Sequence, residues 1–202
     1  ALDSTLAANL SNLSSASGTV TATFGANGTF TGNLGTARVT VATGVSFTST
    51  AALVSGKHVT AAGSGNIVIT ALHSTLAADL SNLSKSSGSI TAAFDGTGTF
   101  TGNLGTAGVV VTVADSSTMT AAANIVAGSN KTINKASNGV LAVEVGSADA
   151  AVDLTTITGT AFASVTVTQD VTFIGTLDDT LGTSINNGIT LTTAAAKVTG
   201  KT

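Results

Sequence analysis

The chain has 202 residues, including 38 Thr, 23 Gly and seven Phe, with no Pro, Cys, Trp or Tyr. Without Cys there is no disulfide framework, thiolate metal site or cysteine nucleophile. Charged residues make up 8% of the chain and the net charge is -3; seven cations and few aromatics cannot build a nucleic-acid surface, and no apolar run nears the roughly 18 residues of a membrane span.

Small and β-branched residues favour strands. At 43% apolar and without Pro, the composition is unlike that of disordered chains. Taken in chain order, Leu6, Leu10 and Leu13 stand at i, i+4 and i+7. The same spacing returns within Ser74–Leu83, with Ser74 in N-cap position, and predicts a two-turn helix. Strands are predicted over 87–94, 100–104, 109–114, 130–134 and 140–145, with a turn at Asp95-Gly96-Thr97-Gly98.

Internal repetition organises these elements. Residues 1–40 and 71–110 share 28 identities in 40 positions without a gap. Looser matches link Val39–Lys57 with Val111–Lys131 and Gly63–Leu72 with Ala136–Gly146. A degraded third copy follows, through ADAAVDLTTI from Ala148, TFIGTL from Thr172 and GITLTTAAAKVTGKT from Gly188. The unit is about 70–74 residues, dividing the chain into 1–70, 71–146 and 147–202. The C-terminal Val198-Thr199-Gly200-Lys201 matches Val54-Ser55-Gly56-Lys57, inside a unit. The sequence therefore reads as a window on, or a self-continuing module of, a longer array.

A unit this small buries its apolar face by stacking on its neighbours. The predicted fold is all-β: a β-solenoid, parallel β-helix-like, with short helical turns and an interior of Ala, Val, Leu and Ile. The alternative is a string of small β-sandwich domains, whose turn signals have similar spacing.

Little in the sequence points to catalysis. His58 and His73 hold non-equivalent places in the repeat, where Asp3 matches His73 and Thr132 matches His58. Two scattered histidines do not make a zinc or catalytic site. No GxSxG is present, and Gly63-Ser64-Gly65 and Gly96-Thr97-Gly98 read as turns rather than dinucleotide loops. A pectate-lyase-like enzyme would need carboxylate and Arg/Lys clusters that are missing. No catalytic residue and no cofactor is predicted. Calcium is the ion to test, because Asp149, Asp153, Asp178 and Asp179 stand in or near turns; Asp95 and Asp115 are turn residues, and the calcium nonapeptide is absent. The sequons at Asn9, Asn12, Asn27, Asn82 and Asn130 are expected by chance in a chain so rich in Ser and Thr. The Thr pattern in TVTATF, TGTFTG and SFTST is not a strict TxT, which makes ice binding a minor alternative.

The segments STLAADLSNLSKSSGSITAAF, FTGNLGTA, VTVADSSTMTAAA and VSGK resemble repeats of very large secreted bacterial surface proteins, such as giant adhesins and type I-secreted S-layer proteins. The resemblance implies an extracellular structural role, export without a cleaved classical signal and calcium-dependent assembly, although the calcium nonapeptides are missing. The functional expectation is a self-associating subunit or segment of a surface layer, sheath or filament, with itself as partner. The alternative is the stalk of an adhesin.

Overall fold

A computed structural model describes residues 2, 6–176 and 183–194. The chain is mostly β, with short strands in parallel sheets and, among the described residues, no closed barrel. It divides into two compact units, residues 1–93 with 102–110 and residues 94–101 with 111–202. The repeat junctions after residues 70 and 146 fall inside these units. No helix among the described residues is long and apolar enough to cross a membrane.

The first unit holds strands β1 (Thr21–Phe24), β2 (Gly28–Phe30), β3 (Arg38–Val41), β4 (Ser46–Thr50), β5 (Val59–Ala61), β6 (Asn66–Thr70), β7 (Leu83–Lys85) and most of β8 (Ile90–Phe94). Odd strands stack in the order β1-β3-β5-β7; even ones stack as β2-β4-β6-β8. All registered pairs are parallel, which departs from the antiparallel sheets of the sandwich alternative. Paired residues are separated by 17 (Thr21 to Arg38) to 24 (Val59 to Leu83) positions, room for a return path beside each strand.

Alternation sets the faces of these strands. In β4 and β6 the inward Phe47, Ser49, Ile67 and Ile69 are buried and their neighbours half-buried. In the odd sheet, Thr23, Thr40, Thr60 and Ser84 lie in register on the exposed side, and Val39, Val41, Val59 and Ala61 are buried opposite. The core corrects the expected interior of Ala, Val, Leu and Ile. Phe24, Phe30 and Phe47 are fully buried, and the Phe24 and Phe47 rings meet edge to face at 4.9 Å. Each buried Phe contributes about 1.5–3 kcal/mol of transfer free energy, so a few rings do much of what a dense aromatic core would do.

The second unit holds β9 (Gly98–Phe100), part of β10 (Val109–Val113), β11 (Thr118–Ala122), β12 (Lys131–Lys135), β13 (Val140–Val145), β14 (Phe162–Val167), β15 (Val171–Phe173), β16 (Thr183–Ile185) and β17 (Leu191–Thr193). Its five-stranded parallel sheet runs β9-β11-β13-β14-β16, and β15 pairs with β17. One-turn helices follow equivalent strands in the two units: α1 (Ala51–Val54) after β4 and α2 (Ala123–Val126) after β11.

Matching elements through the repeat shows how copies join. Strand β8 (ITAAF) holds the place in copy two that β1 (TATF) holds in copy one. On the edge that β1 leaves outermost in its own sheet, β8 pairs with β6, continuing the stack of copy one's even strands. The second junction follows the same rule. Strands β9, β11 and β13 correspond to β2, β4 and β6, and the next strand on β13 is β14, which holds the β1 place in copy three. The opening strands of copies two and three thus extend sheets built by the preceding copy.

The predicted leucine helix takes another form. Leu72–Thr75 is a 3-10 turn; the chain then extends, so that Leu80 N–H donates to the Asn103 carbonyl and Asn103 N–H to the Ala78 carbonyl. These long-range partners claim the backbone groups that a helix would need. Leu72, Ala78, Leu80 and Leu83 are buried all the same.

Candidate functional site

The calcium candidates Asp149 and Asp153 stand in or beside short turns, as their sequence predicts. Asp149 lies in the 3-10 turn Ser147–Asp149 and is 2% exposed. Its Oδ1 accepts the N–H of Asn124 at 2.7 Å and its Oδ2 accepts the N–H of Gly146 at 2.9 Å. Asn124 is in the first turn of α2, whose early N–H groups have no partner within the helix. A carboxylate 25 residues away satisfies one of them. Asp149 therefore clasps two layers of the chain, with both oxygens engaged by main-chain donors. The hollow beside it, lined by Glu144, Ser147, Thr168 and Gln169, is about 230 Å³, below the roughly 300 Å³ at which small-molecule sites begin.

Asp153 caps the 3-10 turn Leu154–Thr156, and its Oδ1 accepts from Thr155 N–H at 3.1 Å and from Thr155 Oγ1 at 2.6 Å. Asp178 and Asp179 lie outside the described residues. Among the described residues no group of three or more His, Asp or Glu is placed to hold a metal. His58 is exposed, and His73 is half-buried in the turn Leu72–Thr75.

What the turns carry instead is two polar ladders. The first repeats once per copy. Asn9 Oδ1 accepts from Ser11 N–H, Asp79 Oδ1 from Ser81 N–H and Asp153 Oδ1 from Thr155 N–H, each near 3.0 Å. Each of the three also makes a parallel bridge, Asn9 with Asn33, Asp79 with Asn103 and Asp153 with Thr176. Asn33 and Asn103 form the same local turn on Gly35 and Gly105. Both glycines have positive φ, 56° and 72°, and sit against the backbone of Leu10-Ser11 and Leu80-Ser81, so Gly is required there.

The second ladder ties the start of a strand to the turn one layer away. Asn27 Oδ1 accepts Ser46 N–H, Asn66 Oδ1 accepts Ser89 N–H, Asp115 Oδ1 accepts Asn138 N–H and Asp170 Oδ1 accepts Thr190 N–H. The sequence marks Asp115 as a turn residue, but its partner Asn138 lies 23 residues away and leaves no local signal.

Hydrogen bonding stabilises the charged form of two of these acids. The Ser81 hydroxyl and then its N–H hold the Asp79 carboxyl below its ordinary value. The N–H of Asn138 does the same for exposed Asp115. Burial lowers Lys131, whose Nζ donates to the Ala127 carbonyl at 3.2 Å. None of these groups faces a second titratable partner at catalytic distance. The arrangement holds backbone in place.

Comparison with protein-family models, with curated proteins and with solved structures finds no match in any of the three.

Proposed function

We propose that the chain is a structural, self-assembling extracellular protein, a subunit or segment of a surface layer, sheath or filament, without catalysis. In this reading it is a β-solenoid whose parallel sheets stack layer on layer. The observation that carries it is the junction rule, by which β8 extends the stack of β2, β4 and β6 and β14 extends that of β9, β11 and β13. Such a rule has no built-in stop, and stacked repeats gain stability from each added neighbour. The side-chain oxygens of Asn27, Asn66, Asp115, Asp149 and Asp170 are engaged by another layer of the same chain, as befits a material. Low charge supports close packing between copies, because few like charges oppose it. The resemblance to secreted surface-protein repeats carries the extracellular part of the proposal.

The second reading is an adhesin stalk, which shares the stacking and does not associate with copies of itself. Sedimentation velocity of the purified chain over a hundredfold concentration range separates the two. Growth in mass with concentration supports assembly; a monomer throughout points to the stalk.

A further inference from the structure

We infer that the β1 end of the first unit is a docking surface for a β6-type strand from another copy of the repeat. The inference rests on the stacked-repeat reading above and names the partner that this end takes.

β1 is the outermost strand of its sheet. Its Val20 and Phe24 carbonyls accept from Arg38 and Ala42 on the β3 side. Alternation turns Thr19, Thr21 and Thr23 to the other side. There, among the described residues, Leu2 N–H donates to the Thr23 carbonyl.

The equivalent strand in copy two shows what belongs at that edge. β8 receives β6 in parallel, with Ile67, Val68 and Ile69 opposite Ile90, Thr91 and Ala92. Ile67 N–H donates to the Ser89 carbonyl, and Asn66 Oδ1 accepts from both the N–H and the hydroxyl of Ser89. Thr19 holds the Ser89 place and carries a hydroxyl as well.

Burial differs in the same sense along the described residues of this layer. Leu83 is 2% exposed and its counterpart Leu13 is 49% exposed. Ala78, Leu80, Ile90 and Ala92 are buried, whereas Ala8, Leu10, Val20 and Ala22 are half-buried. Glycine geometry is an independent witness. A Cβ on Gly88 would fall on the Gly65 carbonyl of the covering layer. A Cβ on its counterpart Gly18 would meet the Ser15 hydroxyl alone, at 3.1 Å. Copy one therefore presents a layer shaped like that of copy two with its lid removed. The chemistry of the fitting strand is that of Asn66–Thr70: an Asn to clasp Thr19, then apolar residues alternating toward Val20 and Ala22.

The test extends the 202-residue chain at its N-terminus with a duplicate of residues 43–70, which keeps the repeat in phase. Amide exchange at Thr21 and Thr23 is expected to slow at least about tenfold. Gly18→Ala, neutral in the original chain, is expected to lower the melting temperature of the extended one. A peptide of residues 57–70 added in trans is expected to shift the resonances of Thr19–Phe24, and its Ile67→Pro version is not. Unchanged exchange in the extended chain, with Gly18→Ala harmless in both, overturns the inference, as does a trans peptide that shifts nothing while the extension leaves exchange unaltered. Docking that holds in a chain that never self-associates sinks the assembly proposal alone.

Discussion

The side-chain oxygen of Asn66 accepts two hydrogen bonds from Ser89, one from its N–H at 2.9 Å and one from its hydroxyl at 2.8 Å. The residues are 23 positions apart and start paired strands at the junction of two repeat copies. One amide thus fixes the register in which a new copy joins the sheet. Asn66→Ala removes both bonds and leaves the half-buried Ser89 N–H without its acceptor. The expected cost is about 1–3 kcal/mol; at this chain length that lowers the melting temperature by about 2–4 °C per kcal/mol. Calorimetry of the variant checks it.

Gly32 and Gly175 hold the same place in copies one and three. Gly32 N–H donates to the Leu6 carbonyl and Gly175 N–H to the Ala150 carbonyl. A Cβ on either would land on a backbone carbonyl, that of Ala8 or Val152. Backbone cannot swing aside as a flexible side chain does, so Gly32→Ala and Gly175→Ala are each expected to destabilise by more than about 2 kcal/mol. Chemical denaturation measures this. Gly44→Ala, where nothing lies within 4 Å and only φ of +75° opposes the substitution, is expected to cost about 1 kcal/mol.

Asp149→Ala removes a buried carboxylate and leaves the N–H groups of Asn124 and Gly146, whose bonds to it are part-buried, without that acceptor. The expected loss is about 2–4 kcal/mol, since bonds to a charged acceptor are stronger than neutral ones. If Asp149 acts as a clasp and not as a calcium ligand, adding calcium or chelator leaves the melting temperature of the parent chain unchanged. A calcium-dependent rise that Asp149→Ala abolishes would make it a ligand.

Asp79 and Asp115 both have folded values below the ordinary carboxylate value of 3.8. The sign follows from linkage: the stabilisation is present above the unfolded value and is lost as pH falls through the folded one. Thermal stability is expected to decline below about pH 4. Asp79→Asn is expected to keep the turn, because Asn9 makes the same bond to Ser11 in copy one, and to flatten the decline. Melting curves from pH 2 to 7 decide this.

Much of the strand pattern was legible in the sequence. The predicted strand over 140–145 coincides with β13, and those over 109–114 and 130–134 differ from β10 and β12 by a residue at one or both ends. The stretches 109–114 and 140–145 carry apolar residues at alternate positions, a signal held within a few residues, whereas 130–134 has Ile133 alone. The leucine segment misled because i, i+4, i+7 spacing is compatible with burial along an extended, kinked path once Asn103 supplies the hydrogen bonds from 23 residues away. No local pattern announces such a partner. Asp149 stood out as an acid near a turn, but its meaning depends on Asn124, which lies on another layer. The pairing of β8 with β6 was likewise invisible, because β1 has nearly the same sequence and is the outermost strand of its sheet.

The central claim is that this chain builds an ordered material from copies of itself. Negative-stain electron microscopy of the purified 202-residue chain, concentrated at neutral pH, tests it most directly. Filaments or sheets with a regular repeat are the expected result. Isolated short rods at every concentration would contradict the claim.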